Sequence, residues 1–173
     1  MGQAIGTVIP LAIAIAIFPV PVVAAVLLVG SESGRLKGGA FVVAWFVGLA
    51  AVGAAVLALS GVLDASKGGE PAPWVDVLLL CLGLVVVALG VKQWRGRPRG
   101  VEEAPTPGWM RAIDEFTVVK AAGAGVALTA LNPKNLLLVA AAAAEIAELG
   151  LSTAHEIEAL IGFVLLASAG VLA

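Results

Sequence analysis

Leu131-Asn132-Pro133-Lys134-Asn135-Leu136-Leu137-Leu138 sets a proline, a cation and two amides inside an apolar run that extends from about residue 121 to 147. A run of that length is read as a membrane-spanning helix, which needs roughly 20 apolar residues. Proline has no N–H and displaces the carbonyl four residues earlier. Inside a bilayer no water satisfies the acceptors so freed, and such breaks persist only where they face protein or a wet cavity. A charge at the bilayer centre costs roughly 2.5–3.5 kcal/mol on insertion scales, so Lys134 is expected to face the helix bundle or a cavity. Its functional reading is a group that binds an anionic head group or switches with a proton. Its structural reading is a cation held by freed carbonyls of another helix, or one that snorkels. Asn132 and Asn135 either contact a ligand or cap the two half-helices.

The same construction occurs near the N-terminus. The first apolar run, from about 4 to 29, carries Pro10 and then Ile17-Phe18-Pro19-Val20-Pro21 followed by Val22-Val23-Ala24-Ala25-Val26-Leu27-Leu28. Pro19 aligns with Pro133, each about midway along its span. Further runs lie at about 39–63, 74–91 and 157–173. The first and fourth helices then cross in opposite directions, and the expected fold is an all-α membrane bundle built as an inverted 3+3 repeat with proline-broken helices 1 and 4. Paired broken helices at the midplane are the usual binding site of a secondary transporter. Pro19, Pro21, Asn132, Pro133, Lys134 and Asn135 are therefore the candidate substrate-binding and translocation residues.

Composition agrees: 61% of residues are apolar and 13% charged, against about 45–50% and about 25% in soluble domains. The segment 92–120 holds Lys92, Arg95, Arg97, Arg99, Arg111 and Lys120, and the first loop holds Arg35 and Lys37. The loop after the fourth run carries Glu148, Glu156 and Glu158 without a cation. Retention of Lys and Arg on the cytoplasmic side places both basic loops inside and the N-terminus outside. The chain thus divides into a first repeat (1–92), a cytoplasmic linker with a short amphipathic helix (93–119) and a second, incomplete repeat (120–173). In that linker Trp109, Met110, Ile113 and Phe116 oppose Arg111, Asp114 and Glu115, a helix that lies in the interface or packs on the bundle. At ~1.5 Å per residue the last run reaches about 26 Å against a core of about 30 Å, so a longer parent chain with a sixth helix is expected.

Other polar residues read more plainly. Glu32 and Arg35 form either a solvated turn or a gate at the inner mouth. Trp45, Trp74 and Trp94 suit an aromatic belt, and Gly48, Gly53, Gly123 and Gly125 suit close helix packing. Cys81 reads as a small buried hydrophobe and His155 as a solvated loop residue. The sequence offers no metal cluster, no nucleophile–base set and no nucleotide-binding loop. No cofactor, no catalysis and no nucleic-acid partner are therefore expected.

Two segments carry a resemblance. Pro19-Val20-Pro21 through Leu28, with Ala40-Phe41 and Trp45-Phe46-Val47-Gly48, resembles the first half of the mycobacterial Sap/GAP family. These are the sulfolipid- and glycopeptidolipid-addressing proteins, placed in the LysE transporter superfamily. Trp109-Met110-Arg111-Ala112-Ile113-Asp114, Lys120-Ala121, Ala130 through Leu138 and Leu149-Gly150-Leu151-Ser152 resemble that family's second half. The resemblance implies six helices in the cytoplasmic membrane of a bacterium and a role in moving cell-envelope lipids. The partners implied are membrane lipids and proteins of envelope-lipid synthesis; a homodimer is left open. The alternatives are export of an amino acid or ion, as in other members of that superfamily, and a non-transporting assembly factor that docks a lipid synthase through residues 93–119.

Overall fold

The computed structural model describes residues 2–67, 73–96 and 108–173. The Arg/Gly/Pro linker at 97–107 lies outside them, and of the side chains of Trp74, Trp109, Arg111 and Asp114 nothing is described. Among the described residues every regular element is helical. Helix α1 (Gly2–Ala16) and α2 (Pro19–Gly30) form a pair bent by 54°. Helix α3 runs over Gly34–Lys67 and α4 over Pro73–Arg95. A single turn, α5 (Gly108–Arg111), precedes a 3-10 turn at Ile113–Glu115. Helix α6 (Val118–Val126) passes into a π turn (Ala127–Leu131) and then α7 (Pro133–Glu148), with a bend of 61°. Helix α8 (Thr153–Ala167) and a last turn, α9 (Ala169–Leu172), complete the chain.

The chain is a membrane protein by its apolar spans. The segment Gly34–Gly61 is long and apolar enough to cross a bilayer alone, and each bent pair qualifies when its halves are taken together. The outward surface is itself apolar, with Val43, Leu80, Leu84 and Leu165 exposed. In water such a surface would be a liability; against acyl chains it is ordinary solvent contact.

Local chemistry fixes the turns. Pro19 and Pro133 each occupy the first turn of the second half-helix, where a missing N–H costs nothing. Ser33 adopts a left-handed φ of 58° in the turn into α3. Gly34 follows at a point where a side-chain carbon would collide with the Val29 carbonyl. Gly150, with φ 58°, ends α7 as a left-handed C-terminal residue.

Close backbone approach holds the bundle, as expected where lipid supplies no hydrophobic drive between helices. Gly125 of α6 lies against the Phe41 carbonyl and Trp45 amide of α3, and Gly53 of α3 lies against Leu160 of α8. Gly123 differs from expectation, since it faces open space. Trp45 also differs. It is fully buried, and its indole Nε1–H donates to Ser168 Oγ at 3.2 Å, while the Ser168 hydroxyl donates to the Val164 carbonyl at 2.7 Å. It is a core residue linking α3 to the α8–α9 junction and no interfacial anchor. Trp94, at the end of α4, is 69% exposed.

Cys81 is exposed rather than buried. The reason is topological: α4 packs on α7 at the edge of the bundle, and Leu80, Leu84 and Val87 share its exposure. The amphipathic segment forms no continuous helix, because α5 stops at Arg111 and the 3-10 turn follows. Ile113 is buried and Phe116 half-buried against the core, with the 3-10 turn touching α2, so this segment packs on the bundle.

Candidate functional site

The two helix breaks meet. At the first, the Phe18 N–H turns back to the Ile15 carbonyl, and Pro19 has none to give. The Ala14 carbonyl, five residues before Pro19, is thereby freed for another donor. At the second, the carbonyl five residues before Pro133 belongs to Leu128, in the π turn. These equivalent acceptors are taken by consecutive side chains of α7. Lys134 Nζ donates to the Ala14 carbonyl at 3.4 Å, and Asn135 Nδ2 donates to the Leu128 carbonyl at 2.7 Å. One turn of one half-helix therefore satisfies a freed acceptor in each break, which is how such breaks survive away from water.

Lys134 is half-buried, and its ammonium also lies 4.3 Å from the centre of the Phe18 ring. A cation over an aromatic face is attracted by the ring quadrupole. Charge and dipole act in the same sense. The Ala14 carbonyl lies in the last turn of α1, the negative end of that helix, whereas Lys134 occupies the positive N-terminal end of α7. The cation is thus disfavoured by its own helix and favoured by its neighbour.

Asn132 caps α7: its Oδ1 accepts from the Lys134 amide at 3.1 Å. Asn135 is fully buried, and its Oδ1 has no partner. The bond from Nδ2 to a carbonyl fixes which end of the amide is which, so the orphan is an acceptor. Pro21 is buried, Pro133 half-buried and Pro19 exposed. Thr129, unremarked in the sequence, is fully buried. Its hydroxyl shares its proton between the Gly125 and Val126 carbonyls, both at 3.0 Å. Phe18 was also missed. A polar residue four before Pro133 and an aromatic residue just before Pro19 were the available signals.

Glu32 and Arg35 lie elsewhere, in the turn between α2 and α3. Both are exposed, and no ion pair joins them among the described residues. The nearby cation that is buried is Lys37, whose Nζ donates to Ser31 Oγ at 3.3 Å.

Beside the breaks lies an apolar cleft of about 310 Å³. Val20, Ala24 and Leu28 of α2 form one wall, Ala124 and the π-turn residues Ala127 and Leu128 the other, with Ile113 and Phe116 of the linker against both. Val20 stands between the two prolines of the first break, and Leu128 supplies the carbonyl that Asn135 holds. A second groove, of about 430 Å³, runs between α3 and α8 and includes Phe46, Ala50, Ile157 and Leu160. Among the described residues no group of His, Cys, Asp or Glu is placed to hold a metal ion.

The family model described as Sap, sulfolipid-1-addressing protein, matches residues 8–173 and so spans both broken pairs. Neither the curated proteins nor the solved structures gave a significant match.

Proposed function

The chain belongs to the sulfolipid-1-addressing protein (Sap) family, and from that premise we propose that it moves a cell-envelope lipid or glycolipid across or out of the bacterial cytoplasmic membrane. The observation that carries this reading is the junction of the two bent spans, stitched by Lys134 and Asn135 to equivalent carbonyls. A packed membrane scaffold needs neither break. A path through the bilayer needs backbone that departs from a continuous helix, supported by protein.

An inverted repeat fits the packing. Helix α3 of the first half lies against α6 of the second, and α8 of the second half lies against α1 of the first. A glycine reaches each break from the other half: Gly48 of α3 abuts Thr129, and Gly170 of α9, the turn after α8, abuts the Ala16 carbonyl. Ile17 and Leu131, each two residues before the aligned proline, are 72% and 74% exposed. The basic loops then face the cytoplasm and the N-terminus lies outside.

The cleft wall is made of apolar side chains throughout. That favours a lipid chain over the amino acid or ion of the alternative reading. The buried Oδ1 of Asn135 would accept from a hydroxyl or N–H of a lipid head group. Such a role makes Asn135, with Asn132 and Lys134 around it, the polar point on an otherwise apolar route.

The test is lipid redistribution in phosphatidylethanolamine–phosphatidylglycerol vesicles carrying a trace of fluorescently tagged sulfolipid. Reconstituted protein is expected to expose inner-leaflet probe to dithionite faster than protein-free vesicles, and Asn135→Leu to remove most of the gain. Equal rates with and without folded protein would overturn the reading in favour of a non-transporting assembly role.

A further inference from the structure

We infer that Lys134 is a latch that holds one of two equivalent gates shut, so that the structure is open on the side of the basic loops and closed on the other. The inference rests on the repeat reading above. Under that reading α1 corresponds to residues 118–131, α2 to α7 and α3 to α8. The contact of α1 with α8 then corresponds to that of α6 with α3, and both pairs are packed. The contact of α1 with α7 corresponds to that of α6 with α2, and here the two halves differ. Helices α1 and α7 are packed against each other. Between α2 and α6 lies instead the cleft of about 310 Å³. One gate is closed helix against helix where its equivalent is parted, with Ile113 and Phe116 of the linker lining the gap.

The sequence supplies the cause. With Pro19 aligned to Pro133, Lys134 corresponds to Val20 and Asn132 to Phe18. On the closed side Lys134 bridges α7 to the Ala14 carbonyl and the Phe18 ring. On the open side Val20 occupies the matching position, and it lines the cleft. Valine offers neither charge nor donor, so no matching bridge from it to the second break is available. The cation's position at the N-terminus of α7 adds to the bias, since withdrawal from α1 would return it to the positive end of its own helix. A ligand that shifts such an equilibrium must bind the two states differently. Lys134 is accordingly a positioning residue, set to release when the cleft on the basic side closes.

The test is distance measurement between paired spin labels on the full chain in lipid nanodiscs, in a Cys81→Ser background. Gly6→Cys with Glu148→Cys reports the closed side, and Gly30→Cys with Val119→Cys the open side; all four positions are exposed. With Lys134 present, each pair is expected to give one dominant distance. Lys134→Met is expected to add a second population at both pairs, longer on the first side and shorter on the second. Lys134→Arg is expected to keep the original distribution. Unchanged distances at both pairs in Lys134→Met would overturn the latch. So would lengthening on the first side without shortening on the second, which is mere loss of packing. Lipid redistribution by the parent protein separates the two readings. Reciprocal distances without redistribution refute transport alone, and redistribution without reciprocal distances refutes the latch alone.

Discussion

Asn135 donates to one freed carbonyl while its own oxygen lies buried without a partner. Truncation to Ala removes that oxygen but leaves the Leu128 carbonyl unsatisfied in its place, so the net loss is that of one hydrogen bond, about 0.5–1.5 kcal/mol. Asn135→Ala should therefore lose about that much in reversible unfolding from mixed micelles, whereas a loss within error of zero would show that water already serves that carbonyl. The residue types at this site were legible in the sequence, because an amide and a cation beside a midplane proline have few inexpensive fates. Which fate applied was not. For Lys134 the structural partner, a carbonyl of the other break, is present. Asn132 resolved as a cap. Cys81 was misread for a different reason: burial depends on which neighbours a helix has, and α4 has few.

At the scale of elements, the helix junctions depend on contacts between positions far apart in sequence. A side-chain carbon at residue 48 would meet Thr129 Oγ1, so Gly48→Ala should destabilise α3 against the second break. Overpacking of this kind costs about 1–3 kcal/mol. Thr129→Ala in the same chain should restore part of the loss by vacating the space, and a double-mutant cycle with no coupling would contradict the contact. Trp45→Phe removes the indole donor to Ser168. It should cost about 0.5–1.5 kcal/mol, the net value of a hydrogen bond, and should remove a blue-shifted component from the tryptophan emission. The span in α3 and both broken spans were readable from run length and proline position. The course of 109–116 was not: its apolar spacing suits a helix, but Ile113 and Phe116 are drawn onto α2 and the cleft, and the chain breaks into short turns to reach them. Nor was the place of Trp45, since an aromatic residue serves equally in a core or at an interface.

For the whole molecule, an apolar exterior implies lipid contact all round the bundle, including the outward face of α4. Cys81, in intact vesicles, should hardly react with a charged, impermeant maleimide, because the reagent stays in water and the thiolate it needs does not form in hydrocarbon. Rapid reaction with the impermeant reagent would place α4 against water and undo the assignment of that face. The family was recognisable from its motifs, because Asn-Pro-Lys-Asn within an apolar run is costly and therefore rare. The difference behind the proposed asymmetry, Lys134 in one half against Val20 in the other, stands in the sequence; that Lys134 reaches the Ala14 carbonyl and so joins α7 to α1 does not, since it depends on how the halves pack. The measurement closest to the central claim is cysteine accessibility at the junction of the breaks. In a Cys81→Ser background, single cysteines at Asn132, Lys134 and Asn135 would be probed from each side with impermeant methanethiosulfonates. Modification of these positions from the basic-loop side, and faster than at buried Leu49, is the predicted result. No modification from either side in folded protein would contradict it, because a dry, sealed junction cannot be a path for cargo.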